Sequence, residues 1–175
     1  MQTFVALLRG VNVGGHNKLP MADLRSLCES NGLKDVRTYI QSGNIVFRSK
    51  KKASTMEAEI AGGIQKRFGF APKILVLPAD EIRKAADSYP FPTDNHKFSH
   101  IMFLDAQPGD EAVRKIESME QGPDKVTVGD RAVFMYFPNG VLGSRLELNK
   151  IERILGVHCT SRNWRTVQKL IEMSS

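Results

Sequence analysis

Runs of apolar residues change their period along this chain, and each change marks an element. Phe4-Val5-Ala6-Leu7-Leu8 is apolar at every position, which predicts a strand with both faces covered, central in a sheet. Arg9-Gly10 ends it, and a polar, glycine-rich loop follows. Pro20 suits a first helical position, and Met21, Leu24, Leu27 and Cys28 recur at helical spacing until Asn31-Gly32 stops the helix. Two alternating runs over 36–41 and 44–48 come next, joined by Ser42-Gly43, the kind of two-residue link that makes a tight hairpin. In that register Gln41 faces Asn44, Ile40 faces Ile45, Tyr39 faces Val46, Thr38 faces Phe47 and Arg37 faces Arg48. Val36, Thr38, Ile40, Ile45 and Phe47 then form a core face, and Arg37, Tyr39, Gln41, Asn44, Val46 and Arg48 a polar, cationic one.

Thr55 is placed to cap a second helix, in which Met56, Ile60, Ile64 and Phe68 repeat every four residues. Gly62-Gly63 inside it cost about 1 kcal/mol each. Residues 73–77 read as another strand, so the order is β-α-β-β-α-β, the split βαβ or ferredoxin-like plan. A connector over residues 79–98 holds a short helix around 80–87 and the loop Tyr89-Pro90-Phe91-Pro92-Thr93-Asp94. The order then recurs: strand 99–104, helix 110–119, strand 125–128, turn Gly129-Asp130, strand 132–137, helix 147–155 and strand 157–160. A terminal helix over 164–173 carries Trp164, Val167 and Ile171 on one stripe. The predicted architecture is α+β: two fused ferredoxin-like units, residues 1–78 and 99–175, related as a tandem duplication by element order, with a C-terminal helix.

Composition fits an ordinary globular chain, since 41% hydrophobic and 25% charged residues among 175 lie far from the signature of disorder. No apolar run approaches the ~20 residues of a membrane helix, and the first ten residues lack a secretory pattern, so the expectation is a cytoplasmic protein without membrane partners. Cys28 and Cys159, 131 positions apart, offer neither a disulfide framework nor a thiolate zinc site. The net charge of +6 lies wholly in the first half: residues 1–88 hold 14 Lys and Arg against 8 Asp and Glu, and residues 89–175 hold 11 of each. Part of that excess is the run Arg48-Ser49-Lys50-Lys51-Lys52, a solvated basic loop that is also suited to phosphates.

Candidate chemistry centres on the loop Arg9-Gly10-Val11-Asn12-Val13-Gly14-Gly15-His16-Asn17-Lys18, between a central strand and a helix start. Glycines there let backbone N–H groups approach an anion, with Arg9, Asn12, Gly14, Gly15 and Lys18 as contributors. The spacing of Gly10 and Gly15 imitates a P-loop, but His16 and Asn17 stand where Lys and Ser or Thr are required, so the NTPase reading fails. The same glycines also serve a plain tight turn. On the hairpin, Arg37, Tyr39 and Arg48 could engage phosphate and stack on a base, although no ribonucleoprotein motif is present and Val5 and Leu7 share a strand face with Arg9 that is partly covered. Ser42 has no nucleophile context. His96 and His100 lack a third metal ligand, and no cofactor motif is found. Thr160, Ser161 or Asn163 caps the last helix, where Trp164 is a core anchor and Arg162 and Arg165 leave the apolar stripe.

Taken together, the stretches Leu8 to Gly15 with Lys18, Arg37 to Phe47, and Thr160-Ser161-Arg162-Asn163-Trp164-Arg165-Thr166-Val167 resemble an uncharacterised bacterial family, domain of unknown function 1697. The resemblance spans nearly the whole chain and implies an α+β protein of two related subdomains. The family usually has Ala where Ser161 stands and Asn where Arg165 stands, so Arg165 is not a shared functional residue, and no catalytic residue can be carried over.

Two functional readings follow. The first is an anion-binding module for a nucleic-acid backbone or a phosphorylated small molecule, using Arg9, Asn12, Gly14, Gly15 and Lys18, extended by Arg37, Tyr39 and Arg48 and closed by Arg162. The second is an enzyme acting on a small anionic metabolite, with Asn12, Gln41, Asn44 and Asn163 orienting it where the glycine loop, the hairpin tip and the Asn163 region meet. A third reading offers the sheet edges to another chain.

Overall fold

The unbroken apolar run near the start of the chain becomes β1 (Gln2–Leu8), and the first sheet is built around it. In the computed structural model, which describes residues 1–175, β1 is flanked on one side by β3 (Asn44–Ser49) and on the other by β4 (Ile74–Pro78). Beyond β3 lies β2 (Lys34–Tyr39), giving the order β2-β3-β1-β4 with every pair antiparallel. Between the strands run α1 (Met21–Ser30) and α2 (Ala53–Phe68), whose Leu24, Cys28, Met56, Ile60 and Ile64 join Ala6, Leu8, Ile45, Phe47 and Val76 in one core. α3 (Ala79–Asp87) follows β4.

The second sheet repeats this order. Its centre is β5 (Ser99–Leu104), flanked by β7 (Ala132–Tyr136) and β8 (Cys159–Asn163), with β6 (Lys125–Gly129) beyond β7, so the strands run β6-β7-β5-β8. α4 (Asp110–Glu117) and α5 (Leu148–Leu155) contribute Ile116, Ile151 and Leu155 to a core with Met102, Leu104, Val133, Met135 and Phe137. α6 (Trp164–Met173) ends the chain. The fold is therefore mixed α and β, with two four-stranded antiparallel sheets and six helices. It divides into two compact units, Met1–Ile82 with Lys169–Ser175, and Arg83–Gln168. No helix is long and apolar enough to cross a membrane.

The hairpin departs from expectation. Arg37 pairs with Val46, Thr38 with Ile45 and Tyr39 with Asn44, two positions away from the predicted register, so four residues, 40–43, make the turn. The cause is Gly43: a Cβ there would stand 2.6 Å from Leu8 Cβ and 2.8 Å from Val11 Cγ2, and its φ is +80°, so the tip is drawn tightly onto the end of β1. Ile40 is forced out of the strand at φ +49° and is exposed instead of buried. An even shift preserves sidedness. Val36, Ile45 and Phe47 therefore still face the core. The predicted polar face is apolar at its centre, because Val46 is buried beside Val5 and Leu77.

α2 starts at Ala53, before Thr55, and its N-cap Lys52 makes no side-chain capping bond. Lys51 steadies this start by donating to Glu59 and to the carbonyl of Asn31. β8 runs to Asn163, past the predicted end, and takes in the stretch expected to open the last helix. Gly63 is explained by packing: a Cβ there would lie 2.5 Å from Leu27 Cδ1, whereas Gly62 faces open space. The edge strands are partly capped by side chains, with Val76 N donating to Glu57 at 2.8 Å and Val126 N to Gln121 at 3.0 Å. Such caps discourage strand addition at those two edges.

Candidate functional site

Where β1 ends, three segments of the first unit converge. Leu8 N donates to the carbonyl of Gly43 at 2.8 Å, and Arg9 N to the carbonyl of Lys73 at 2.9 Å. Asn12 then bridges loop and hairpin. Its Nδ2 donates to the carbonyls of Leu19 at 2.9 Å and Gln41 at 2.7 Å, while its Oδ1 accepts from Leu19 N at 2.8 Å. The loop itself is a miniature hairpin, closed by Asn12 N on the carbonyl of Asn17 and His16 N on that of Val13, each at 3.0 Å. Gly14 and Gly15 occupy its two central positions at φ +58° and +76°, the double positive φ of a type I′ turn. Asn17 Nδ2 donates to the carbonyl of Gly10 at 3.0 Å. The glycines thus build a projecting turn.

This pole gathers Arg9, Asn12, Gly14, Gly15, Lys18, Gln41 and Asn44, but in two different roles. Asn44 is fully buried, and its Nδ2 reaches the carbonyl of Tyr39 at 3.2 Å and Ser42 Oγ at 3.0 Å, closing the hairpin turn. Asn12 and Asn44 therefore hold the scaffold. Lys18, His16 and Gln41 are exposed and Arg9 is half-buried. Lys73, which the sequence reading did not single out, stands here because β4 pairs with β1; nothing in its local sequence reveals that neighbour. The segments that meet here, 9–20, 39–44 and 69–73, contain no Asp or Glu. Exposed Val13 and Ile40 add aliphatic surface to this pole.

Arg37 and Arg48 belong to another place. Arg48 lies beside Thr3 at the opposite end of β1. Five strand steps separate Thr3 from Leu8, roughly 17 Å at ~3.3 Å per residue. There a groove of about 840 Å³ is lined by Thr3, Glu29, Asp35, Arg37, Arg48 and Ser175, among others. Arg37 Nη2 donates to the carbonyl of Met173, and Arg48 Nη1 sits 3.5 Å from Asp35, with both side chains at least half exposed. Two cations thus meet two carboxylates, and the groove is electrically balanced. Tyr39 is half-buried, paired with Asn44 toward the hairpin tip.

The remaining candidates lie in the second unit. Arg162 Nη1 donates to Thr160 Oγ1 at 3.0 Å and to the carbonyl of Ser161 at 2.8 Å; burial pushes its guanidinium down to about 10, so it stays charged at neutral pH. Asn163 Oδ1 accepts from Thr166 N at 3.0 Å and is the residue that caps α6. Trp164 lies against Tyr89, with ring centroids 5.1 Å apart. His100 abuts Phe137, and burial lowers its pKa. No group of three or more His, Cys, Asp and Glu side chains is placed to hold a metal ion.

The model of a family described as protein of unknown function (DUF1697) matches residues 1–134. No curated protein matches the chain. Among solved structures it is similar to the conserved bacterial protein SP0830 from Streptococcus pneumoniae, at 23% identity and a TM-score of 0.73 over 99% of each chain. That likeness concerns the fold.

Proposed function

The chain belongs to this family of proteins of unknown function, and we propose that it is a binding module whose basic pole holds the phosphate backbone of a nucleic acid. The observation that carries the reading is the convergence, at the end of β1, of three segments free of carboxylates that carry Arg9, Lys18 and Lys73. Lys18 and Lys73 are exposed and make no ion pair, so a polyanion binding there would release its counterions without first displacing an internal partner. The type I′ turn projects, and a projecting surface suits an extended backbone better than a small phosphorylated molecule, which gains most from enclosure. An enzyme pocket oriented by Asn12, Asn44 and Asn163 has no comparable support, since all three side chains are engaged in holding turns or a helix start. Two free, buried cysteines suit a reducing compartment such as the cytoplasm. We further infer that the units are a tandem ferredoxin-like duplication, supported by their shared element order and matching strand order.

Anisotropy of a fluorescein-labelled, mixed-sequence duplex, titrated with the protein over a range of salt concentrations, tests the reading. Affinity should fall linearly on a log–log plot, and Lys18→Glu and Lys73→Glu should each weaken binding and reduce the slope by about 1. Absence of binding at low salt, or a slope indifferent to both substitutions, would refute it.

A further inference from the structure

The second unit carries a separate cleft between α4 and α5, of about 670 Å³ and therefore within the ~300–1,000 Å³ typical of ligand sites. One wall comes from Glu111, Ala112 and Lys115, the other from Lys150, Arg153 and Ile154. Lys150, Arg153 and Ile154 stand at i, i+3 and i+4, and Glu111 and Ala112 stand four and three residues before Lys115, so each set is one face of its helix. Ala112 and Ile154 are half-buried and line the floor, while Lys115, Lys150 and Arg153 are exposed along the rims. Lys115 is tied to Glu111 at 2.8 Å in an exposed pair. Lys150 and Arg153 form no ion pair.

We propose that this cleft docks a short acidic peptide segment of a partner protein, with one apolar side chain seated on Ala112 and Ile154 and carboxylates reaching Lys150 and Arg153 on one rim and Lys115 on the other. Charge complementarity selects an acidic occupant, because the lining holds three cations and one carboxylate. The floor selects against nucleic acid: neither helix contains an aromatic residue on which a base could stack. Asp110, Glu117 and Glu152 on the same helices would also repel a polyanion running beyond the cleft, whereas a short segment ends before reaching them. The site is distinct from the basic pole of the first unit and does not depend on it.

The probe is a fluorescein-labelled heptapeptide of sequence Asp-Glu-Asp-Leu-Asp-Glu-Asp, titrated by anisotropy at about 20 mM salt, where surface charges are weakly screened. A twin with Ser in place of Leu keeps the charge and removes the anchor. Saturable binding is expected, weakened roughly tenfold by the double substitution Lys150→Glu with Arg153→Glu and several-fold by the Leu-to-Ser twin. Lys18→Glu with Lys73→Glu should leave it unchanged, which separates this site from the nucleic-acid reading. All four positions are exposed, so the variants should fold, as circular dichroism will check. No binding, equal binding of the two peptides, insensitivity to the Lys150 and Arg153 changes, or capture of a labelled oligothymidylate in place of the peptide would each overturn the proposal.

Discussion

Asn12 Nδ2 stands 2.7 Å from the main-chain oxygen of Gln41, so a side chain in the glycine-rich loop secures a hairpin tip 29 residues further along the chain. The same amide closes its own loop on Leu19 through two more bonds. Asn also tolerates the residue's φ of +53°, where most side chains are strained. Asn12→Ala would leave Leu19 N and two carbonyls to find water and would add backbone strain. The expected loss is about 2–4 kcal/mol, read from urea unfolding. Asn12→Asp keeps the acceptor for Leu19 N but turns a carboxylate oxygen toward the carbonyls of Leu19 and Gln41, and should cost at least as much as Asn12→Ala. A loss for Asn12→Ala no larger than that of an exposed surface change would show that the bridge contributes nothing.

Adjacent glycines in α2 should respond with opposite sign. Gly62 faces open space in mid-helix, so Gly62→Ala gains helix propensity, about 0.5–1 kcal/mol. Gly63→Ala gains the same term but places its Cβ 2.5 Å from Leu27 Cδ1 and 3.0 Å from its Cδ2. Overpacking of that kind costs about 1–3 kcal/mol, which outweighs the propensity gain. Thermal melts of the two variants should move apart, Gly62→Ala upward and Gly63→Ala downward. Equal upward shifts would mean that Leu27 yields freely and that α1 and α2 do not need this close approach.

Much of the architecture was legible because local signals agreed with tertiary demands. Pro20 before Met21, the stop at Asn31-Gly32 and the stripe through Trp164, Val167 and Ile171 placed α1 and α6 closely. The hairpin register was not legible, because it is set by Gly43 against Leu8 and Val11, a contact between distant residues that overrides the two-residue turn suggested by Ser42-Gly43. Ile40 misled for the same reason: its apolar character fits the alternation, but the longer turn carries it outside. In the candidate site, Arg9 and Lys18 could be picked out by charge and position, whereas the scaffold roles of Asn12 and Asn44 could not. An Asn in a glycine-rich loop looks the same whether its amide meets a ligand or a neighbouring carbonyl. Arg37 and Arg48 were grouped with the loop cations by sign alone. The antiparallel register puts Arg48 at the other end of β1, where Asp35 and Glu29 offset the charge.

The thiol of Cys28 links the core to alkaline stability. It is fully buried in α1, and burial, reinforced by the charge of Glu29, pushes it from an ordinary 9.0 up to about 12. In the unfolded chain the thiol ionises near its ordinary value, and in the folded chain it stays protonated. Its contribution is therefore intact below pH 9 and declines as pH rises toward 12, by up to about 1.4 kcal/mol per pH unit within that window. Tyr89, also raised by burial, adds to the decline only above its ordinary value of 10.0, and Arg162, lowered by burial to about 10, acts in the opposite sense near that pH, so the thiol is read from the difference between the wild-type chain and Cys28→Ala between pH 9 and 10. Urea unfolding of the wild-type chain and of Cys28→Ala at several pH values in that interval should give a steeper fall for the wild type. The absolute loss from the cavity is common to every pH and cancels in the slope. Matching slopes would mean that Cys28 reaches solvent in the folded protein, and a thiol reagent at pH 8 would then label it at the rate of an exposed cysteine rather than at the rate of unfolding.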